Sequence, residues 1–282
     1  MISDFSAAIA DADAVFIANP SSMHTSYLLR LIELEKHVYI EKPVGVNKTD
    51  IDILRTIERK SRSKIQVGSQ FRFNEHLCSI KSKLRENLFG TIYSVSAYSG
   101  EHIKDYPYPN YKHSYAVDPA LGGGVILTQI HQIDYLNWLF GPIVSVFAVA
   151  NSTNILNLEV ETCISYILVC ESGLNITCNL NFLRRPKLQT IEIGGSECNI
   201  SWSYETNELV FESSVKNHPH YHKEKNPFDR NAMFRGAIIN FFDAINKNTD
   251  LVSPLADGIH ALEIACAVKE SVRARKIINI GG

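Results

Sequence analysis

The chain has 282 residues and a mass of 31.7 kDa, enough for two ordinary domains and too much for one small module. Hydrophobic residues make up 45% and charged residues 21%, values that exclude a largely disordered chain. With 28 Lys and Arg against 30 Asp and Glu the net charge is −2, so the charge balance argues against nucleic acid or an anionic membrane as a partner.

From residue 14 the pattern runs strand, helix, strand, helix, strand, the period of a parallel α/β sheet. The first strand is AVFIA (14–18), ending at Asn19-Pro20. A helix over 22–36 follows, with Ser21 or Ser22 as N-cap and Leu28, Leu31, Ile32 and Glu35 at helical spacing. Next come the strand HVYI (37–40), the tripeptide Glu41-Lys42-Pro43, a helix over 49–61 with Thr49 and Asp52 as a weak capping signal, and the strand KIQVG (64–68). After Phe73 a helix over 74–87 leads into a strand over 91–99 and a loop rich in Tyr, Pro and His (100–119). Residues 121–141, LGGGVILTQIHQIDYLNWLFG, read as one helix. The β-rich runs between 144 and 211 are too closely spaced for crossover helices and predict an antiparallel sheet. A polar loop over 217–226 holding His218, His220 and His222, helices over 229–246 and 254–274, and a short strand over 277–280 complete the chain.

No apolar run approaches the roughly 20 residues that a spanning helix needs, and the first residues lack a signal peptide's basic start and apolar stretch. The six cysteines contain no CxxC pair and no His cluster at metal-ligand spacing. They read as buried thiols of a cytoplasmic protein, and no metal is expected.

Four stretches, IANPSSMH (17–24), KHVYIEKPVG (36–45), VGSQFRFN (67–74) and the glycine-led 121–141 segment, resemble the Gfo/Idh/MocA oxidoreductases. That resemblance implies a Rossmann-type NAD(P)-binding domain over 1–73. A second domain over 74–282 follows, an α/β unit with a large open antiparallel sheet whose last helix packs back on the first domain. It further implies hydride transfer between NAD or NADP and a sugar, sugar derivative or cyclitol, and assembly into a homo-dimer or homo-tetramer through the sheet.

Lys42 and His131 are the catalytic candidates. A residue just past a parallel strand enters the crevice where α/β folds bind ligands, and Pro43 restricts the backbone that aims Lys42. The Lys42 ammonium can donate to the reacting oxygen; a lone lysine beside a glutamate also reads as a surface residue. His131 titrates near neutrality and follows three glycines that would let the backbone approach a ligand closely. By resemblance it is the proton relay; the other reading is a satisfied buried histidine. The resemblance places Asn19, Pro20, Ser21, His24, Glu41, Lys42 and Gln70 around the cofactor. It places Tyr111, Lys112, Tyr115 and Thr128 around the substrate, although the Tyr-rich loop also reads as plain surface.

The chain departs from the family pattern at two positions. Thr128 stands where many relatives have Asp and Gln132 where the most similar branch has Glu, and both changes remove a carboxylate that could orient His131. Asp134 either substitutes for them or faces the core. No GxGxxG occurs, and on the resemblance roughly 55 to 70 residues, two or three crossover units, are missing before residue 1. That predicts an unpaired apolar edge at the first strand and weak or absent NAD(P) binding. A second reading is therefore a catalytically silent sugar-binding or assembly protein of the same fold.

Overall fold

The computed structural model describes residues 9–107, 110–151, 155–213, 221–225 and 229–281, and these build two sheets. The smaller has three parallel strands, β1 (Ala14–Ile17), β2 (His37–Ile40) and β3 (Ile65–Val67), in the order β1-β2-β3. Alternate residues of a strand face opposite sides. Val38 and Ile40 therefore join the buried Leu28, Leu31 and Leu54 of helices α1 (His24–Glu33) and α2 (Lys48–Lys60), while Tyr39 points the other way onto Phe241, with ring centroids 5.8 Å apart. Among the described residues β1 pairs only with β2. Phe16 on this edge is 47% exposed and stacks on Tyr39.

Local capping differs from expectation at both helices. No serine side chain caps α1; a short turn over Ser21–Met23 leads into it, with Met23 N donating to Pro20 O at 2.9 Å. Helix α2 is capped by Asn47, whose Oδ1 accepts from Asp50 N at 3.0 Å, two residues before the predicted Thr49 signal.

Helix α3 (Glu75–Arg85), capped by Asn74, leads into β4 (Ile92–Gly100). The predicted helix over 121–141 is two helices, α4 (Val125–Thr128) and α5 (His131–Phe140), broken at Gln129-Ile130. The strands β5 (Ile143–Ala150), β6 (Cys163–Cys170), β7 (Asn175–Asn181), β8 (Leu188–Gly195), β9 (Cys198–Ser203), β10 (Glu208–Ser213) and β11 (Tyr221–Lys225) follow. Next come α6 (Arg230–Asn246), α7 (Leu255–Ala274) and the edge strand β12 (Ile278–Asn279). Their order, β11-β10-β9-β8-β4-β7-β6-β5-β12, gives a nine-stranded sheet. It is mostly antiparallel, with one correction: β4 and β7 run parallel, because β4 inserts between β7 and β8. The polar loop expected over 217–226 is strand β11 where the structure describes it; His218 and His220 lie outside the described residues.

Helix α7 joins the two sheets. It packs on β5, and Arg55 and Lys48 of α2 pair with its Glu263 and Glu270. One apolar core runs through both parts. The cysteines divide more than predicted: Cys170, Cys178 and Cys266 are buried, Cys163 and Cys198 half-buried, and Cys78 exposed, all as free thiols. Cys78 lies on the outer side of α3, away from the buried His76, Leu77 and Ile80.

Candidate active site

The parallel strands all end at the same side, and the chain leaves them in three turns: Asn19-Pro20, Glu41-Lys42 and Ser69-Gln70. His24 ties two of them together. Its Nδ1 lies 2.7 Å from Pro43 O and its Nε2 2.8 Å from Asn19 O, so both ring nitrogens are engaged by backbone and the buried ring offers a ligand nothing. Burial holds its pKa below the ordinary value, against the pull of these carbonyls.

The Lys42-Pro43 peptide is cis, and the Lys42 ammonium donates to Thr128 O at 2.8 Å. The helix break makes that acceptor available. In a continuous helix Gln132 N would bond Thr128 O; here it bonds Gln129 O at 3.1 Å, leaving Thr128 O for Lys42. Burial pushes Lys42 down to about 8, with Glu41 opposing in part. The Glu41 carboxyl is raised by burial, with Lys42 opposing, and a Cβ on Gly68 would lie 2.9 Å from its Oε2.

His131 is the first residue of α5. Gln70 donates its amide to His131 Nε2 at 3.2 Å, which leaves the proton of the neutral ring on Nδ1, a buried atom with no partner. Burial first, then the cations Lys42, Lys187 and Arg230, hold His131 well below its ordinary pKa, so the ring is neutral near pH 7. Asp134, proposed above as a substitute orienting group, does not touch it. Its carboxylate receives two bonds from the buried Arg72, Nε to Oδ2 at 3.1 Å and Nη2 to Oδ1 at 2.7 Å. Gln132, likewise, accepts from the Tyr166 hydroxyl at 2.6 Å.

The glycines before α4 serve protein packing and bring no ligand close. A Cβ on Gly122 (φ +86°) would meet Val46 at 2.4 Å, and one on Gly124 (φ +108°) would meet Glu161 at 2.3 Å.

A cavity of about 480 Å³ gathers Lys42, Gln70, Tyr115, Thr128 and His131 in its wall. Asn19, Pro20, Ser21, His24 and Glu41 do not line it; they form the adjoining turns and, in His24, the start of α1 that ties two of them together. Ser21 is buried beneath Gly122. Two expected substrate residues are also absent from the wall. The short turn Tyr111–His113, capped by Asn110, carries Lys112 out to solvent, and Tyr111 packs on the core under Lys104. The residues missed from the sequence are Gln129 at the break between α4 and α5, and, from the large sheet with its flanking turns and α6, Glu101, Lys187, Gln189, Tyr204 and Arg230. Lys187 ends the basic run Arg184-Arg185-Pro186-Lys187 just before β8, a signal that was present but unassigned. Unpartnered buried polar atoms concentrate here: Gln70 Oε1, Thr128 Oγ1, Gln129 Oε1, His131 Nδ1 and Gln132 Nε2. Buried polar groups are normally satisfied, so the wall is built for a polar occupant rich in hydrogen-bonding groups.

Two family models match the chain: residues 1–69 fit "Oxidoreductase family, NAD-binding Rossmann fold" and residues 79–201 fit "GFO/IDH/MocA C-terminal domain". Among curated relatives, oxidoreductase P35 of Formosa agariphila is 25% identical over 257 residues, covering 90% of this chain and 78% of that protein. The inositol 2-dehydrogenase of Rhizobium meliloti is 23% identical over 282 residues, covering 97% and 82%. Among solved structures, levoglucosan dehydrogenase in complex with NADH and levoglucosan superposes with a TM-score of 0.90 at 20% identity, covering 99% of this chain and 84% of that one. Among the described residues no helix is long and apolar enough to cross a membrane.

Proposed function

The chain belongs to the Gfo/Idh/MocA family of oxidoreductases, and from that premise we propose that its cavity oxidises or reduces a sugar, sugar derivative or cyclitol with NAD or NADP. The observation that carries this reading is the row of unpartnered polar atoms on the wall that holds Lys42 and His131. A polyol meets such a wall with alternating donors and acceptors.

The turns after the three parallel strands fit the nicotinamide end of a dinucleotide. Asn19 Oδ1 and Gln70 Oε1 are buried acceptors without partners, and Lys42 is a nearby donor. A bound nicotinamide would supply or take up a hydride. Within this chain, Lys42 would leave Thr128 O and donate to the reacting oxygen, stabilising charge on it. The neutral His131 would accept the hydroxyl proton on Nε2, or return it in the reverse direction, once the Gln70 amide that donates to Nε2 gives way to the substrate hydroxyl. Tyr115 and the Thr128 hydroxyl would position substrate. On this reading residues 1–73 are the cofactor unit and 74–282 the substrate unit, and exposed Phe147, Val149 and Ile167 on the outer face of the large sheet support a homo-dimer or homo-tetramer.

The silent-binder reading rests on Thr128, Gln132 and the absent GxGxxG. The Thr128 backbone, not its side chain, receives Lys42, and His131 meets the Gln70 amide in place of a carboxylate. A screen of sugars and cyclitols with NAD and NADP, followed by nicotinamide absorbance, tests the proposal. Turnover that falls about 10²–10⁴-fold in Lys42→Met and in His131→Asn supports it; turnover unchanged in both refutes it.

A further inference from the structure

Two cations in the cavity wall have no part in the proton and hydride chemistry. Lys187 enters just before β8 and Arg230 begins α6, 43 positions later by their numbering, yet both face the space that holds His131. They bracket one aromatic ring. The Lys187 ammonium lies 5.5 Å from the centroid of Tyr204, and the Arg230 charge also acts on the Tyr204 phenol, opposing the upward shift that burial causes. Tyr204 packs on Phe71 at 5.2 Å, and Phe71 on His131 at 5.1 Å. The cation pair is thus set beside the reacting end, separated from it by aromatic rings.

The charges of the wall do not balance. Lys42, Lys187 and Arg230 are positive, and Glu101 is the one carboxylate among the lining residues. Glu101 is already paired with Lys187 at 3.0 Å. An ammonium has three donors, so Lys187 can keep Glu101 and still hold a second anion, while a guanidinium offers a planar fork matched to a carboxylate or a phosphate. A neutral polyol would satisfy the amides and hydroxyls of the wall and leave Lys187 and Arg230 to solvent and Glu101 alone.

Resting on the reading of the cavity as a sugar site, we propose that the substrate is a sugar bearing an anionic group, a carboxylate or a phosphate, and that Lys187 and Arg230 hold that anion. The sugar hydroxyls then meet Gln70, Gln129 and His131 at the other end, and the anion fixes which carbon faces Lys42. The surroundings of His131 agree with this polarity: the charges that act on it, Lys42, Lys187 and Arg230, are all positive.

Calorimetric titration of the full chain at low ionic strength tests this without turnover. The probes are glucose, galactose and mannose, the matching hexuronates, and the matching hexose 6-phosphates. An anionic sugar should bind about tenfold or more tightly than its neutral parent, the scale of one charge-assisted hydrogen bond. A preference for hexuronates identifies the anion as carboxylate, and one for the hexose phosphates identifies it as phosphate. Arg230→Gln and Lys187→Gln, both at exposed positions, should each reduce the preference and leave the neutral sugar's affinity within about twofold, with unchanged thermal melting. Added salt should weaken the preference. Equal binding of anionic and neutral sugars, or a preference that survives both substitutions, overturns this proposal alone. No binding of any of these sugars overturns it together with the sugar-site reading beneath it.

Discussion

Replacing Asp134 by Asn removes the charge partner of the most deeply buried ion pair among the described residues. The Arg72 and Asp134 side chains are 2% and 4% exposed, and two hydrogen bonds at 2.7 and 3.1 Å join them. Breaking a buried pair from one side costs about 3–5 kcal/mol, because the other charge stays desolvated. Arg72 would keep Val252 O at 3.0 Å and Asp257, whose side chain is 37% exposed. We therefore expect the lower end, about 3 kcal/mol. The exposed pair of Arg185 and Asp105, with side chains 53% and 48% exposed, is the control, and Asp105→Asn should leave the urea midpoint nearly unchanged. Urea denaturation reads both, with Trp138, 6.0 Å from the Arg72 guanidinium, as a local fluorescence probe. Replacing Arg72 by Met together with Asp134 by Leu should be less damaging than Asp134→Asn, since the one charge left without its partner, Asp257, is 37% exposed and reaches solvent. Equal costs for Asp134→Asn and Asp105→Asn would refute the reasoning.

Three further outcomes follow from the same geometry. Burial sets Lys42 near 8, so its ammonium is present below that pH and lost above it; kcat/KM should fall as pH rises through about 8, and Lys42→Arg, if active, should not show that fall. Gly124→Ala combines φ +108° with a contact to Glu161 at 2.3 Å, whereas Gly173 has φ +86° and nothing within 4 Å. In urea midpoints Gly124→Ala should therefore cost at least about 1 kcal/mol more than Gly173→Ala. Val149 is 53% exposed on the outer sheet face, and Val149→Lys should shift sedimentation toward the monomer if that face joins copies of the chain; an unchanged sedimentation profile counts against it.

Periodicity and turn chemistry made the parallel strands and their connecting helices legible, because Val38, Tyr39 and Ile40 carry their burial locally. The Glu41-Lys42-Pro43 turn was readable for the same reason: a strand end and a proline define it within three residues. The break at Gln129-Ile130 was not, since residues 125–140 keep apolar residues at helical spacing across it. What marks the break is the acceptance of Lys42 by Thr128 O, a contact across 86 positions. Asp134 likewise showed its face but not its partner, Arg72, 62 positions away. The parallel pairing of β4 with β7 leaves no trace in alternation, which is the same in either direction. Lys187 and Arg230 were invisible as a pair because only the tertiary fold brings their segments to one cavity.

The central claim is that Lys42 and His131 meet one reacting oxygen in this cavity. A structure determined with a nicotinamide cofactor and a bound sugar tests it most directly. The account predicts a substrate oxygen within about 3.2 Å of both Lys42 Nζ and His131 Nε2, the reach of proton transfer, with Lys42 released from Thr128 O and the Gln70 amide displaced from Nε2. A sugar bound elsewhere, or bound here with Lys42 still on Thr128 O and His131 out of reach, would contradict it.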